Sequence, residues 1–94
     1  MEWSVYIVLC NDGSLYTGIS TDVERRFRQH QTGKGAKFFR SRQPVSIAFQ
    51  ETGHDKSSAT SREREIKKMS RRDKLSLVEI ARRTAVAQSE AAAG

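Results

Sequence analysis

From Trp3 to Cys10 the chain is rich in aromatic and β-branched residues, the make-up of a strand. Asn11-Asp12-Gly13 is a turn signal, and Leu15 to Ile19 reads as the returning strand. The length of the turn decides which side chains share a face. A two-residue Asp12-Gly13 loop would mix Tyr6, Val8 and Cys10 with Leu15, Thr17 and Ile19. A three-residue Asn11-Asp12-Gly13 loop, with Gly13 left-handed, pairs Cys10 with Ser14 instead. One face then carries Val5, Ile7, Leu9, Leu15, Thr17 and Ile19, a nearly continuous apolar surface. The other carries Tyr6, Val8, Tyr16 and Gly18, with Val8 opposite Tyr16 and Tyr6 opposite Gly18. A one-residue slip turns every side chain over, so the cleaner apolar face favours the second register. It sets two phenols on one face beside a residue with no side chain.

Thr21-Asp22-Val23-Glu24 reads as a capping box, so a helix is expected from about Asp22 to Gln31, ending before Gly33. Val23 and Phe27 lie one turn apart and should face the core. Arg26 and His30 share the neighbouring stripe. Residues 32–43 read as a loop, with Gly33-Lys34-Gly35 at its start and Phe38-Phe39 as its anchor. After Pro44, Val45, Ile47 and Phe49 alternate with Ser46, Ala48 and Gln50, the pattern of a half-buried strand. Ser57 or Ser58 can cap a second helix from Ala59 to Met69, with Ala59, Ile66 and Met69 on its apolar side. Ser70-Arg71-Arg72-Asp73 resembles another cap, and Leu75, Val78 and Ala81 continue a third helix. The order expected is strand, strand, helix, strand, helix, helix, an α/β (α+β) fold. Residues 1–84 are expected to form the domain and residues 85–94 a frayed tail.

Ninety-four residues suffice for one modest core. The formal net charge of +6 favours polyanionic partners. That charge is concentrated. Residues 20–42 carry Arg25, Arg26, Arg28, Lys34, Lys37, Arg40 and Arg42 against Asp22 and Glu24 alone. Cys10 is the single cysteine, which excludes an internal disulfide or a thiolate zinc cluster and suits a reducing compartment. No apolar run approaches a membrane span and Met1 to Ser4 shows no signal pattern, so the chain is expected to be cytoplasmic.

Chemistry concentrates in the phenols of Tyr6 and Tyr16, the Arg26–His30 stripe, the basic loop, and Glu63 on the second helix. Each has an ordinary explanation. Strand tyrosines pack, a helix arginine is solvated, and a histidine near a helix end meets the dipole. Glu63 or Glu65 can pair with Lys67 or Lys68. Together, a carboxylate, an arginine and a phenol or imidazole are what phosphodiester hydrolysis needs. Lys34, Lys37, Arg40 and Arg42 form a run without compensating acids, suited to contacting backbone phosphates.

The order and spacing of these residues resemble the GIY-YIG nuclease superfamily, which includes the endonuclease domain of the UvrC repair protein, homing endonucleases and small stand-alone members. Val5-Tyr6-Ile7 stands at the first signature triplet and Tyr16-Thr17-Gly18 at the second. Arg25-Arg26-Phe27-Arg28-Gln29-His30 and Ala59-Thr60-Ser61-Arg62-Glu63 follow as in that family, and the likeness covers residues 3–80. It implies a three-stranded antiparallel sheet flanked by helices, with the site on the tyrosine face. It also implies a metal-dependent endonuclease, acting on DNA rather than RNA and directed by structure, with a role in repair or recombination. Glu63 would bind one divalent metal, magnesium or in its place manganese. Arg26 would contact the scissile phosphate, Tyr6 and Tyr16 would orient the attacking water, one of them deprotonating it, and His30 would bond a tyrosine hydroxyl or the phosphate.

Three departures stand out. The first triplet lacks its glycine, Thr17 replaces a branched aliphatic residue, and Asn11 is the single asparagine where many members use a late one. The additional DNA-binding domain of larger members is lacking, so the activity expected is weak, nonspecific, dependent on a protein partner that supplies specificity, or absent. The rival readings are a non-catalytic nucleic-acid-binding module and an interaction domain for an acidic protein.

Overall fold

A computed structural model of the chain describes residues 1–93, with side chains for residues 1–84. The tail expected at 85–94 lies outside the residues whose side chains are described. Strands β1 (Trp3–Cys10) and β2 (Leu15–Ser20) form the hairpin in the three-residue register, with Tyr6 opposite Gly18 and Val8 opposite Tyr16. Its turn closes through Cys10 N to Ser14 O and Gly13 N to Cys10 O, both at 3.0 Å. Gly13 takes φ +83°, the left-handed conformation that this loop needs and that a side chain disfavours.

Helix α1 (Val23–Gln31) follows, then a single 3-10 turn at Lys37–Arg40, β3 (Pro44–His54), α2 (Lys56–Lys67) and α3 (Arg71–Ala93). The sheet is antiparallel in the order β2-β1-β3, which makes β1 the central strand. Five consecutive residues of β1, Ser4 to Val8, are buried, because both faces are covered. On one face Val5, Ile7 and Phe49 meet Ala59 and Ile66 of α2, with Leu77, Val78 and Ala81 of α3 alongside. On the other, Tyr6, Val8 and Cys10 meet Val23 of α1 and Phe39 of the 3-10 turn. Fully burying an aliphatic side chain such as Ile7 or Ile66 stabilises the fold by roughly 1.5–3 kcal/mol.

Several local expectations shift. The cap of α1 is Asp22 rather than Thr21: its carboxylate accepts from Arg25 N at 3.1 Å, a geometry only the residue at the helix boundary can reach. Helix α2 begins three residues earlier than the serine caps imply. Asp55 is its cap, and Ser58 is the other half of a capping box, its N–H donating to Asp55 at 2.8 Å. His54 ends β3 and bonds both Glu51 (2.7 Å) and Ser58 (2.9 Å).

The largest difference lies in β3. Ile7 pairs with Phe49 while its neighbour Val8 pairs with Ile47, so Ala48 is an extra residue in a β-bulge. Ile47 and Phe49 therefore point to opposite faces although they are two apart, and Val45 is left 55% exposed. On α3, Leu75 is exposed and Leu77 packs in its place, next to Val78 and Ala81.

Candidate active site

The phenols of Tyr6 and Tyr16 share the face covered by α1 and the 3-10 turn, with ring centroids 6.3 Å apart. Gly18 makes that possible. A Cβ there would stand 2.7 Å from the Tyr6 hydroxyl and 3.1 Å from Cε1 of Tyr16, so the missing side chain is the space the phenols occupy. His30, near the end of α1, is 1% exposed, and its Nε2 lies 3.0 Å from the Tyr6 hydroxyl. The Arg26 guanidinium, one turn earlier, donates to Gln29 Oε1 at 2.9 Å. A polar recess of about 180 Å³ opens beside it, lined by Ser20, Thr21, Arg25 and Gln29 among others.

Burial dominates the electrostatics. It pushes the Tyr6 phenol well above the usual range, with Tyr16 and Glu63 adding to the rise and Arg26 pulling against it. It raises Tyr16 as well, again with Arg26 opposing and Glu63 reinforcing. Burial first, and Arg26 second, hold His30 down at about 4. Near neutral pH the site thus contains two neutral phenols and a neutral imidazole under one guanidinium. Glu63 stands on α2, its side chain 21% exposed, and its charge raises both phenols further. The ordinary helix pair is present too, with the exposed Lys67 Nζ 3.7 Å from Glu63. Tyr6, Tyr16, Arg26 and His30 thus share one face of the sheet, and the charge of Glu63 is felt at both phenols.

The donor set limits what metal could sit here. Among the described residues no three His, Cys, Asp or Glu side chains converge, so there is no protein cage of the kind zinc takes. A single carboxylate beside neutral hydroxyl groups suits magnesium, which keeps most of its waters and accepts one or two carboxylates. Glu63 is the residue that fits.

The basic run divides. Lys34, Lys37 and Arg40 are exposed, and among the described residues no acid lies within ion-pair distance of them. Arg42 differs from the expectation of a run without compensating acids. It donates to Asp12 of the hairpin turn at 3.1 Å and lies over the Phe38 ring at 4.3 Å. The fold brings an acid from thirty residues upstream, which local sequence could not reveal. The same segment walls the site: Phe39 stacks on His30 with centroids 4.2 Å apart and meets Tyr16 edge-on at 4.9 Å. Sequence reasoning also passed over Gln29, the partner of Arg26, and Gly35, which lies against His30. The spacing Arg26-x-x-Gln29 on a helix was the available signal for the first. For Gly35 only the glycine pair itself was visible.

Comparison with known proteins places the chain. The GIY-YIG catalytic domain profile matches residues 2–76. A UPF0213 protein of Staphylococcus epidermidis is 52% identical over 75 residues, covering 80% of this chain and 92% of that protein. The solution NMR structure of a UPF0213 protein from Bacillus halodurans is similar at TM-score 0.55 and 45% identity, over 85% of each chain. That of a protein from E. faecalis is similar at TM-score 0.59 and 34% identity, again over 85% of each. The matched span contains both phenols, Arg26, His30 and Glu63. The chain belongs to the GIY-YIG catalytic-domain family.

Proposed function

We propose that this protein is a metal-dependent endonuclease that hydrolyses phosphodiester bonds in nucleic acid, DNA before RNA, and is directed by structure rather than base sequence. The observation that carries the reading is the gathering of Tyr6, Tyr16, Arg26, His30 and the charge of Glu63, from β1, β2, α1 and α2, around one glycine-lined space. Arg26 offers a planar fork of donors to the non-bridging oxygens of a phosphate, where negative charge grows as water attacks phosphorus and the leaving P–O bond breaks. Glu63 would hold the divalent ion, which would supply Lewis-acid stabilisation when bound. The phenols are neutral and orient water or phosphate through hydrogen bonds. Lys34, Lys37 and Arg40 on the rim contact neighbouring phosphates, which positions the strand without reading its bases. A structure-directed nuclease of this kind suits repair or recombination, with a protein partner adding specificity.

The test is cleavage of labelled single-stranded, duplex, flap and branched DNA with and without magnesium, by wild type and Glu63→Ala. Metal-dependent cutting that falls about 100-fold in the variant, while binding is retained, is expected. Equal cutting by both proteins would remove Glu63 from the site. Two observations favour the rival, a nucleic-acid-binding module without turnover. The phenols are raised rather than lowered, and the single asparagine, Asn11, is used by the hairpin turn, where it accepts from Gln43 N at 3.1 Å. Salt-dependent binding without cutting by either protein would establish it. No binding at low salt would point to an acidic protein partner instead.

The rim makes a second prediction. Lys34→Ala, Lys37→Ala and Arg40→Ala should each reduce the slope of log affinity against log salt by about one. Arg42→Ala should change that slope less and lower thermal stability slightly, because it removes the Asp12 pair and the Phe38 contact. An Arg42→Ala slope change as large as the others would count against this division.

A further inference from the structure

The His30 imidazole is enclosed on every side, and its two nitrogens meet different surroundings. Nε2 faces the Tyr6 hydroxyl at 3.0 Å. Nδ1 is buried and has no hydrogen-bond partner. What stands against Nδ1 is the backbone of Gly35. A Cβ on that residue would overlap Nδ1 outright and crowd Cε1 at 2.7 Å and Cγ at 2.9 Å. Phe39 covers a face of the ring, its plane tilted 31° from the imidazole, so the ring has nowhere to retreat.

A neutral imidazole carries its proton on one nitrogen, and the neighbours of the two nitrogens decide which. With the proton on Nδ1, a buried N–H would have no acceptor, an arrangement native structures rarely tolerate. With the proton on Nε2, Nδ1 is left with only a lone pair on the side closed by Gly35, and an orphaned acceptor is tolerated better than an orphaned N–H. The ring must then donate from Nε2 to the Tyr6 oxygen. Having accepted there, the Tyr6 hydroxyl directs its own hydrogen away from His30. Burial keeps the ring in its neutral form near pH 7, so a second proton does not blur the choice.

We propose that Gly35 is a positioning residue: seated on Nδ1, it holds the His30 proton on Nε2 and so makes Tyr6 a hydrogen-bond donor into the site. The two phenols then have different tasks. Tyr6 donates to a phosphate oxygen, and Tyr16 is the phenol left to orient water. This division of labour rests on the nuclease reading; the tautomer does not.

Long-range proton–nitrogen correlation spectra of histidine-labelled protein at pH 7, without nucleic acid or metal, read the tautomer directly. The chain has two histidines, and His54→Asn isolates the His30 signals. A pyrrole-type Nε2 and a pyridine-type Nδ1 are expected. The reverse assignment, averaging between the two, or a charged ring at pH 7 would each overturn the proposal. Gly35→Ala should disturb that signature and lower kcat about 10-fold to 100-fold, with KM and duplex affinity nearly unchanged. An unchanged spectrum and rate in that variant would also overturn it. If the alanine variant does not fold, the wild-type spectrum still decides. An Nδ1–H ring in an active nuclease overturns this inference alone. An Nε2–H ring in a protein that cuts no substrate upholds the tautomer and removes the nuclease reading.

Discussion

Gly18→Ala is expected to destabilise the protein by about 3 kcal/mol, the upper end of what one added methyl does in a packed interior. The new Cβ would lie 2.7 Å from the Tyr6 hydroxyl, 2.8 Å from its Cζ and 3.1 Å from Cε1 of Tyr16. Those atoms are not the loose end of a flexible chain. Tyr6 is 1% exposed and its hydroxyl is bonded to His30, while Tyr16 is held between His30, Phe38 and Phe39. Moving either ring means moving the aromatic group as a whole. For a domain of this size about 3 kcal/mol corresponds to a fall of about 15 °C in the midpoint of thermal unfolding. Gly33→Ala is the comparison. It meets nothing within 4 Å, so the strain of its φ of +77° remains as its main cost, about 1 kcal/mol. Thermal and urea unfolding of the two variants measure the difference. A Gly18→Ala loss below that of Gly33→Ala would mean the phenols yield easily, and the site would be looser than described.

Acid should weaken the fold through His30 by a comparable amount. Its pKa in the folded protein is about 4, against 6.5 for a free imidazole. The folded state therefore resists a proton that the unfolded chain accepts. The stability associated with the neutral ring is fully present above about pH 6.5 and is lost progressively as pH falls toward 4. A difference of this size amounts to about 3 kcal/mol, since each pKa unit is worth about 1.4 kcal/mol. Asp12 and Asp55 have lowered pKa values, through hydrogen bonds from Ser14 and Ser58 respectively, and their contributions are lost at lower pH. Urea unfolding from pH 7.5 to pH 4, with wild type and His30→Gln compared, isolates the His30 part. Parallel profiles for the two proteins would show that the ring takes up a proton in the folded state without cost.

Much of this molecule was legible in advance because the relevant physics is local. The hairpin register follows from a three-residue turn and the alternation on either side of it, all within residues 5–19, and the structure has that register. Helix positions follow from caps and from period, although the caps are Asp22 rather than Thr21 and Asp55 rather than Ser57 or Ser58. A carboxylate one to three positions away competes for the same N–H groups, and propensity alone does not rank the contestants. The same alternation sets Tyr6 and Tyr16 on one face beside Gly18, as the structure has them.

Other features depend on surfaces that meet only after folding. Alternation along β3 suggested one buried face, but strand pairing with β1 inserts a bulge at Ala48, because both Phe49 and Ile47 find apolar surroundings on opposite sides of the sheet. The choice of Leu77 over Leu75 on α3 reflects how that helix rolls against β3, which its own period leaves open. Asp12 neutralises Arg42 from the far side of the hairpin turn, and Gly35 presses on His30 from across a loop. Above all, the protonation states of the site are set in three dimensions. A side chain's residue type and place in an element are properties of the chain and its near neighbours. Its solvation and its partners are properties of the packed interior, and these make Tyr6 a neutral phenol and His30 a neutral base.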